Sequence, residues 1–162
     1  MPALKPSKRS TRCGTAREAA ALRLRAVDRH VHSRRHAHER CIRLLARWPG
    51  RLLVPEPVLG ETCNFLRNSV RRGAALEAQL LTAITSAGTG FEIIDPTPED
   101  RARATELVTR LVTAPVGYVD ATIIAMAERL RIPDIATADF KMVGMMTPVC
   151  AIKPLRWVLQ EE

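Results

Sequence analysis

Two short stretches in the C-terminal half decide the predicted fold: GYVDATIIAMAERL at residues 117–130 and IPDIATADF at residues 132–140. The first is apolar almost all round, which is typical of a helix buried in a core. The second is a short apolar run between a proline and an aspartate, which is typical of a buried strand. Each stretch places one aspartate at a boundary. Asp120 lies at the start of the helix, and Asp139 closes the strand.

The rest of the chain alternates in the same way. Apolar residues at helical spacing run from Ser33 to Trp48, and the strand LLV at 52–54 is followed by two prolines and another helix. The further predicted elements are a helix after Gly73, the strand FEII at 91–94, a helix from Thr97 and Pro98 to about Val112, and short strands within VCAI and RWVL. Alternation of this kind predicts an α/β fold with a mainly parallel sheet.

Length and composition narrow the class of protein. A chain of 162 residues with 46% apolar residues is expected to form one domain with a sizeable core. Aromatic residues make up 4%, which argues against a base-stacking platform of the RRM kind. The chain has no eighteen-residue apolar run, no apolar signal region and no CxxC pair. These features predict a cytoplasmic protein with reduced thiols and no membrane span.

The charge is unevenly distributed. Residues 1–51 hold fourteen Lys and Arg against three acids, whereas residues 52–162 hold eleven against fourteen. A basic arm on a mildly acidic body suggests contact with nucleic acid or an acidic partner, and a solvated or disordered tail is the plainer interpretation. A third interpretation of the basic arm is that a GC-rich gene is read in another frame or from an altered start, which yields arginine-rich sequence. We predict a poorly ordered basic extension at 1–28 and a domain at 29–162.

Three carboxylates are candidates for one site. Ligands of open α/β sheets bind beyond the carboxyl ends of the strands, where Asp139 and the first turn of the helix carrying Asp120 should lie. Glu61 falls at the flank of an apolar helical stripe, so it can face a cleft. Carboxylates brought together need a cation, and a hard divalent ion suits oxygen ligands. Taken singly, Asp120 could be a helix cap, Asp139 a turn residue at the end of a strand, and Glu61 a solvated helix residue.

The motifs LLVPEPVLGETCNFLR, GYVDATIIAMAERL and IPDIATADF, in this order, resemble those of PIN-domain ribonucleases, specifically VapC-like toxins of type II toxin–antitoxin systems. In that family the first motif carries an acidic residue at the position of Glu61. The second carries one at Asp120, and the third carries one at Asp139 with a hydroxyl at Thr137. The resemblance spans roughly residues 36–160.

This resemblance implies a three-layer α/β/α fold and a Mg²⁺- or Mn²⁺-dependent endoribonuclease. It makes Glu61, Asp120 and Asp139 the metal ligands and catalytic residues, with Thr137 accessory. RNA is then the substrate, a VapB-like antitoxin the partner and a homodimer the expected assembly. Basic residues of the first third would guide RNA; the candidates are Arg34, Arg35 and Arg40.

The chain departs from the family pattern near its start. Family members open on a buried strand that ends in a metal-binding aspartate, and the usual spacing places that residue near Arg23, where no carboxylate is found. Asp28 is the only local substitute. The first strand is therefore predicted to be atypical or missing. The alternative function is a catalytically degenerate PIN-like protein that binds antitoxin or RNA without cutting.

All four histidines fall in HVHSRRHAH at residues 30–38. Two of them, His32 and His36, are four residues apart and could clamp zinc on a helix face. The neighbouring arginines oppose a cation, so a solvated basic segment is the favoured interpretation.

Overall fold

The computed structural model describes the backbone of residues 21–23 and 31–161, with side chains from residue 36 onward. The elements in chain order are β1 (Ala21–Arg23), α1 (Val31–Arg47), β2 (Leu52–Pro55), α2 (Glu56–Ser69), α3 (Gly73–Thr85), β3 (Phe91–Ile94), α4 (Pro98–Arg110), α5 (Tyr118–Leu130), β4 (Asp134–Thr137), α6 (Phe140–Met146) and β5 (Arg156–Trp157).

Every strand pairing in the described part of the chain is parallel. One ladder has the order β1-β4-β5, and a second joins β2 to β3. β1 also lies beside β2, so the two ladders are neighbours. All four residues of the central strand β4 are buried, as parallel strands covered on both faces require. The predicted α/β architecture with a mainly parallel sheet is confirmed.

Helix α5 is the centre of the core. Its eight consecutive residues from Asp120 to Ala127 are buried. Burial of each of its central isoleucines, Ile123 and Ile124, contributes about 2–3 kcal/mol. These side chains share a cluster with Leu107 of α4 and Ile135 of β4. The apolar circumference seen in the sequence therefore reflects a helix packed on more than one side.

The predicted start of α4 is confirmed in detail. The Thr97 hydroxyl accepts a hydrogen bond from the Asp100 amide, and the Asp100 carboxylate accepts one from the Thr97 amide. This reciprocal capping box satisfies two amides that the first turn would otherwise leave without a partner.

Several local expectations are wrong. VCAI forms a bend rather than a strand, and its Ala151 amide donates a hydrogen bond to Glu128. Asp134 begins β4, and Arg156 of β5 pairs with its carboxylate. Helix α6 was not predicted. Its seven residues are shorter than two turns, too short for a clear helical period.

Strand β1 lies within the segment predicted as a basic extension, so the sheet includes residues before residue 29. Residues 1–20 and 24–30 lie outside the described part of the chain. The boundary at residue 28 therefore stays a prediction. A separate finding concerns membranes: none of the helices described is long and apolar enough to cross a bilayer.

Candidate acidic site at the carboxyl ends of the strands

Asp120 is held in the first turn of α5. It is 2% exposed, and its Oδ2 accepts a hydrogen bond from the Gly117 amide over 3.1 Å. The positive end of the helix dipole favours a carboxylate at this position. Because α5 ends beside the start of β4 and leads directly into it, the N-terminus of α5 lies toward the carboxyl end of that strand. The burial and the edge location both match the expectation for Asp120.

Asp139 and Thr137 are brought together at the end of β4. The fully buried Thr137 hydroxyl accepts a hydrogen bond from the Asp139 amide over 3.1 Å. The Asp139 carboxylate in turn caps α6, accepting from the amides of Lys141 at 2.9 Å and Met142 at 3.4 Å. The Asp139 carboxylate is therefore oriented by the first amides of α6, and the backbone amide of Asp139 is held by the Thr137 hydroxyl.

Glu61 lies in α2, one turn after the buried Val58. Glu61 is half-buried, which agrees with the expected position at the flank of the apolar stripe of the helix. Val58 belongs to the same core cluster as Ala121, the neighbour of Asp120. Glu61 is thus on a helix packed into the core that carries Asp120, and its role in a site stays a prediction.

The chemistry of the three carboxylates fits a divalent ion, but the described side chains show no closed cage for one. Carboxylate oxygens are suitable ligands for Mg²⁺ or Mn²⁺. Within the described side chains, however, no three His, Cys, Asp or Glu come together closely enough to hold a metal ion. Glu61, Asp120 and Asp139 therefore do not form a closed metal cage in this structure. Asp28, the candidate substitute ligand, lies outside the described residues.

The predicted basic residues are described only in part. Arg34 and Arg35 lie in α1, but their side chains are outside the described region. The guanidinium of Arg40 sits 5.9 Å from the ring centre of Phe140, and its Nη1 donates to Gln160 Oε1 over 3.4 Å. Arg40 is thus placed next to the residue that follows Asp139.

The histidine segment shows no metal set in the part described. His36 Nδ1 lies 4.0 Å from Glu39 Oε2, with both side chains largely in solvent. The side chain of His32, the other half of the predicted zinc pair, is outside the described region.

Sequence reasoning missed the surroundings of Thr137 and Asp139. Gln160 Nε2 donates a hydrogen bond to the Thr137 carbonyl over 2.6 Å. The two residues are 23 positions apart, so no local motif predicts this contact. Phe140 could have been singled out from the sequence, because it directly follows Asp139 and the chain has few aromatic residues.

Two comparisons with known proteins bear on the family and the fold. The PIN domain model matches residues 16–143. A solved structure described as the Mycobacterium tuberculosis VapC20 toxin, which cleaves the sarcin–ricin loop, aligns with a TM-score of 0.54 at 24% identity. That alignment covers 66% of this chain and 79% of the other, and it supports the fold. A search of curated proteins finds no match. Since the family model spans most of the chain, this protein belongs to the PIN domain family.

Proposed function

We propose that the protein is an endoribonuclease resembling a VapC toxin. The observation that carries this proposal is Asp120: a carboxylate 2% exposed at the carboxyl edge of the sheet in a PIN domain. Burial of a charged group is costly, so a carboxylate kept at such a position is a candidate functional group. The solved VapC20 structure is described as that of an RNA-cleaving toxin, which agrees with this class of activity.

The proposed site consists of Glu61, Asp120 and Asp139, which would hold Mg²⁺ or Mn²⁺, with Asp28 as a further candidate ligand. A bound divalent ion supplies a more acidic water and offsets negative charge on a phosphodiester. The chain's own contribution is orientation. The Gly117 amide fixes Asp120, and the first amides of α6 fix Asp139. Thr137 acts as the accessory residue, because its hydroxyl holds the backbone at Asp139.

The proposed partners follow from the same resemblance. RNA would be guided by Arg34, Arg35 and Arg40, a VapB-like antitoxin would neutralise the protein, and two copies would form a homodimer. A cytoplasmic location is part of the same proposal. The position of Arg40 supports this proposal, because its guanidinium lies beside Phe140, the residue after Asp139.

A second function is favoured by specific observations: a PIN-like protein that binds RNA or antitoxin without cutting. The residue of β1 opposite Thr137 is Arg23, an arginine at the strand end where the resemblance expects an aspartate. The described side chains also contain no three-ligand group. Losing one carboxylate from a metal site weakens ion binding.

RNA cleavage by the purified protein with Mg²⁺ or Mn²⁺, compared with EDTA and with Asp120→Asn, tests the proposal. We expect metal-dependent cleavage that falls at least about 100-fold in the variant, together with weaker Mn²⁺ binding measured by electron paramagnetic resonance. Asp120→Asn also controls for contaminating nuclease, and Arg101→Gln, an exposed change on α4, controls for differences between variant preparations. Folded protein that cleaves no better than Asp120→Asn would exclude the enzyme and leave the binding protein.

A further inference from the structure

The few aromatic residues are distributed unevenly between core and surface. The chain has six, and all six lie in the part whose side chains are described. Only two are exposed: Phe140 at 63% and Tyr118 at 44%. The remaining four are buried or half-buried. Exposing an aromatic ring forgoes a large gain from burial, so these two positions call for an explanation other than packing.

Both exposed aromatic residues lie close in sequence to the candidate carboxylates. Tyr118 is the first residue of α5, two positions before Asp120. Phe140 is the first residue of α6, directly after Asp139. Each ring is therefore carried by the same helical turn that orients a carboxylate. The exposed aliphatic side chains, such as Ile42 of α1 and Leu76 of α3, lie on other elements.

Phe140 is tied to the end of β4 by a chain of polar contacts. The guanidinium of Arg40 lies 5.9 Å from the ring centre, within range of a cation–π contact. Arg40 donates to Gln160, and Gln160 donates to the carbonyl of Thr137. Arg40 thus covers one face of the ring, while most of the side chain remains in solvent. A flat open ring beside a cation suits a nucleobase with its attached phosphate.

We propose that Phe140 and Tyr118 form a stacking subsite for unpaired RNA bases on the two sides of the phosphate presented to the acidic site. The subsite rests on the proposed function, because it requires RNA as the ligand. Phe140 provides the main stacking surface, and Arg40 holds that ring and contacts the phosphate of the stacked nucleotide. Stacking on exposed rings requires unstacked bases, so the protein selects loops and single strands over duplex.

The proposed subsite differs from the RRM-type base-stacking platform, which the low aromatic content of the chain argues against. In that platform the rings lie on the surface of a sheet. Here both rings lie at helix N-termini, and two suffice because only the bases next to one phosphate are held. A low aromatic content is therefore compatible with the subsite.

The binding test uses the full chain carrying Asp120→Asn, so that cleavage does not consume the RNA. Fluorescence anisotropy with a labelled single-stranded oligonucleotide gives the dissociation constant. We expect Phe140→Leu to weaken binding roughly tenfold, Phe140→Trp to preserve it, and Tyr118→Leu to have a smaller effect in the same direction. Val112→Ala, at an exposed position outside both helices, is the matched control and should leave binding unchanged.

Oligonucleotides with a single abasic site complete a double-mutant cycle. At one position, removing the base should weaken binding as much as Phe140→Leu does, and the two changes together should be no worse than either. Additive effects, or an unchanged dissociation constant in Phe140→Leu, overturn the subsite. So does a dimer that Phe140→Leu converts to monomer in sedimentation, since the ring would then belong to a contact between copies.

The outcomes separate the subsite from the nuclease. Base-dependent binding through Phe140 without any metal-dependent cleavage would refute the enzyme and keep the subsite. Cleavage that depends on Asp120, with KM unaltered in Phe140→Leu, would keep the enzyme and refute the subsite.

Discussion

Asp120 and Asp139 each perform a structural task. For Asp120 a helix cap was the expected structural alternative, whereas Asp139, expected as a strand-end turn residue, caps α6. Asp120 accepts from the Gly117 amide, and Asp139 accepts from the first two amides beyond Phe140 in α6. Capping and catalysis are not exclusive, because the hydrogen bond that satisfies an amide also fixes the carboxylate. A capped carboxylate is pre-oriented, which is what a metal ligand or a base needs.

Two substitutions separate the cap of Asp120 from its charge. Asp120→Asn keeps an oxygen for the Gly117 amide, so its free energy of unfolding should stay within about 0.5 kcal/mol of the parent. Asp120→Ala removes the acceptor and should cost about 1 kcal/mol or more. Urea denaturation followed by circular dichroism measures both values. Equal destabilisation by Asn and Ala would mean that the charge, rather than the cap, stabilises the fold.

Local signals predicted some residues well, and distant partners explain the others. The start of α4 was predicted because Thr97 and Pro98 are helix-start signals next to each other in the sequence. The pair of Asp134 with Arg156 was not predicted, because the two residues lie 22 positions apart. The candidate acids were found from motif order, but their mutual distances depend on the packing of separate elements. No local pattern encodes those distances.

At the scale of elements, α4 and α5 are joined by ion pairs as well as by apolar packing. Arg129 of α5 donates from Nε to the buried Asp100 of α4 over 2.8 Å. Arg103 of α4 reaches Glu128 of α5 over 2.8 Å, and the same guanidinium pairs with Glu106, so its hydrogen bonds raise the pKa of Arg103. These contacts set the register of the helix that carries Asp120.

We expect Arg129→Met to lower the free energy of unfolding by about 2–3 kcal/mol, because it leaves the Asp100 carboxylate buried with only its cap. Met keeps most of the aliphatic packing of the arginine stem. The matched control is Arg51→Met, which breaks the ion pair of Arg51 with Glu92. The side chain of Arg51 is 74% exposed and that of Glu92 is 44% exposed. That change should cost less than about 1 kcal/mol. Similar losses in both variants, measured by urea denaturation, would contradict this assignment.

The corner between α2 and α3 requires glycine. A Cβ at Gly73 would lie 1.8 Å from the Leu66 carbonyl oxygen, whereas a Cβ at Gly144 of α6 would meet nothing within 4 Å. Gly73→Ala should therefore lower the melting temperature by several degrees as α3 shifts away from α2. Gly144→Ala should raise stability by about 0.5–1 kcal/mol through better helix propensity. Melting curves that move in the same direction for both changes would refute this interpretation.

Element type followed from the sequence where periodicity was strong. The all-round apolar α5 and the short apolar β4 were both evident, and they fix the α/β class. α6 was missed because its seven residues are too few to show a clear helical period, although Met142 and Met146 are buried. VCAI was misassigned because a short apolar run does not by itself distinguish a strand from a turn or bend.

At the scale of the whole molecule, the charge distribution separates a basic first third from a mildly acidic body. Residues 1–51 carry a net charge of +11, and residues 52–162 carry −3. The acidic body would repel a phosphate backbone, so RNA affinity should come mainly from the first third. The subsite at Phe140 then adds base contacts that salt affects little.

Salt dependence of RNA binding tests this division. For single-stranded RNA, each neutralised phosphate contributes about −0.7 to the slope of log binding constant against log salt, so at least three contacts predict a slope of about −2 or steeper. The double change of Arg34 and Arg35 to Gln should make the slope shallower by about 1.4. The matched double change of Arg101 and Arg110 to Gln, both exposed on α4, should leave it unaltered. A slope shallower than about −0.7 for the parent chain would mean that the basic arm does not contact RNA.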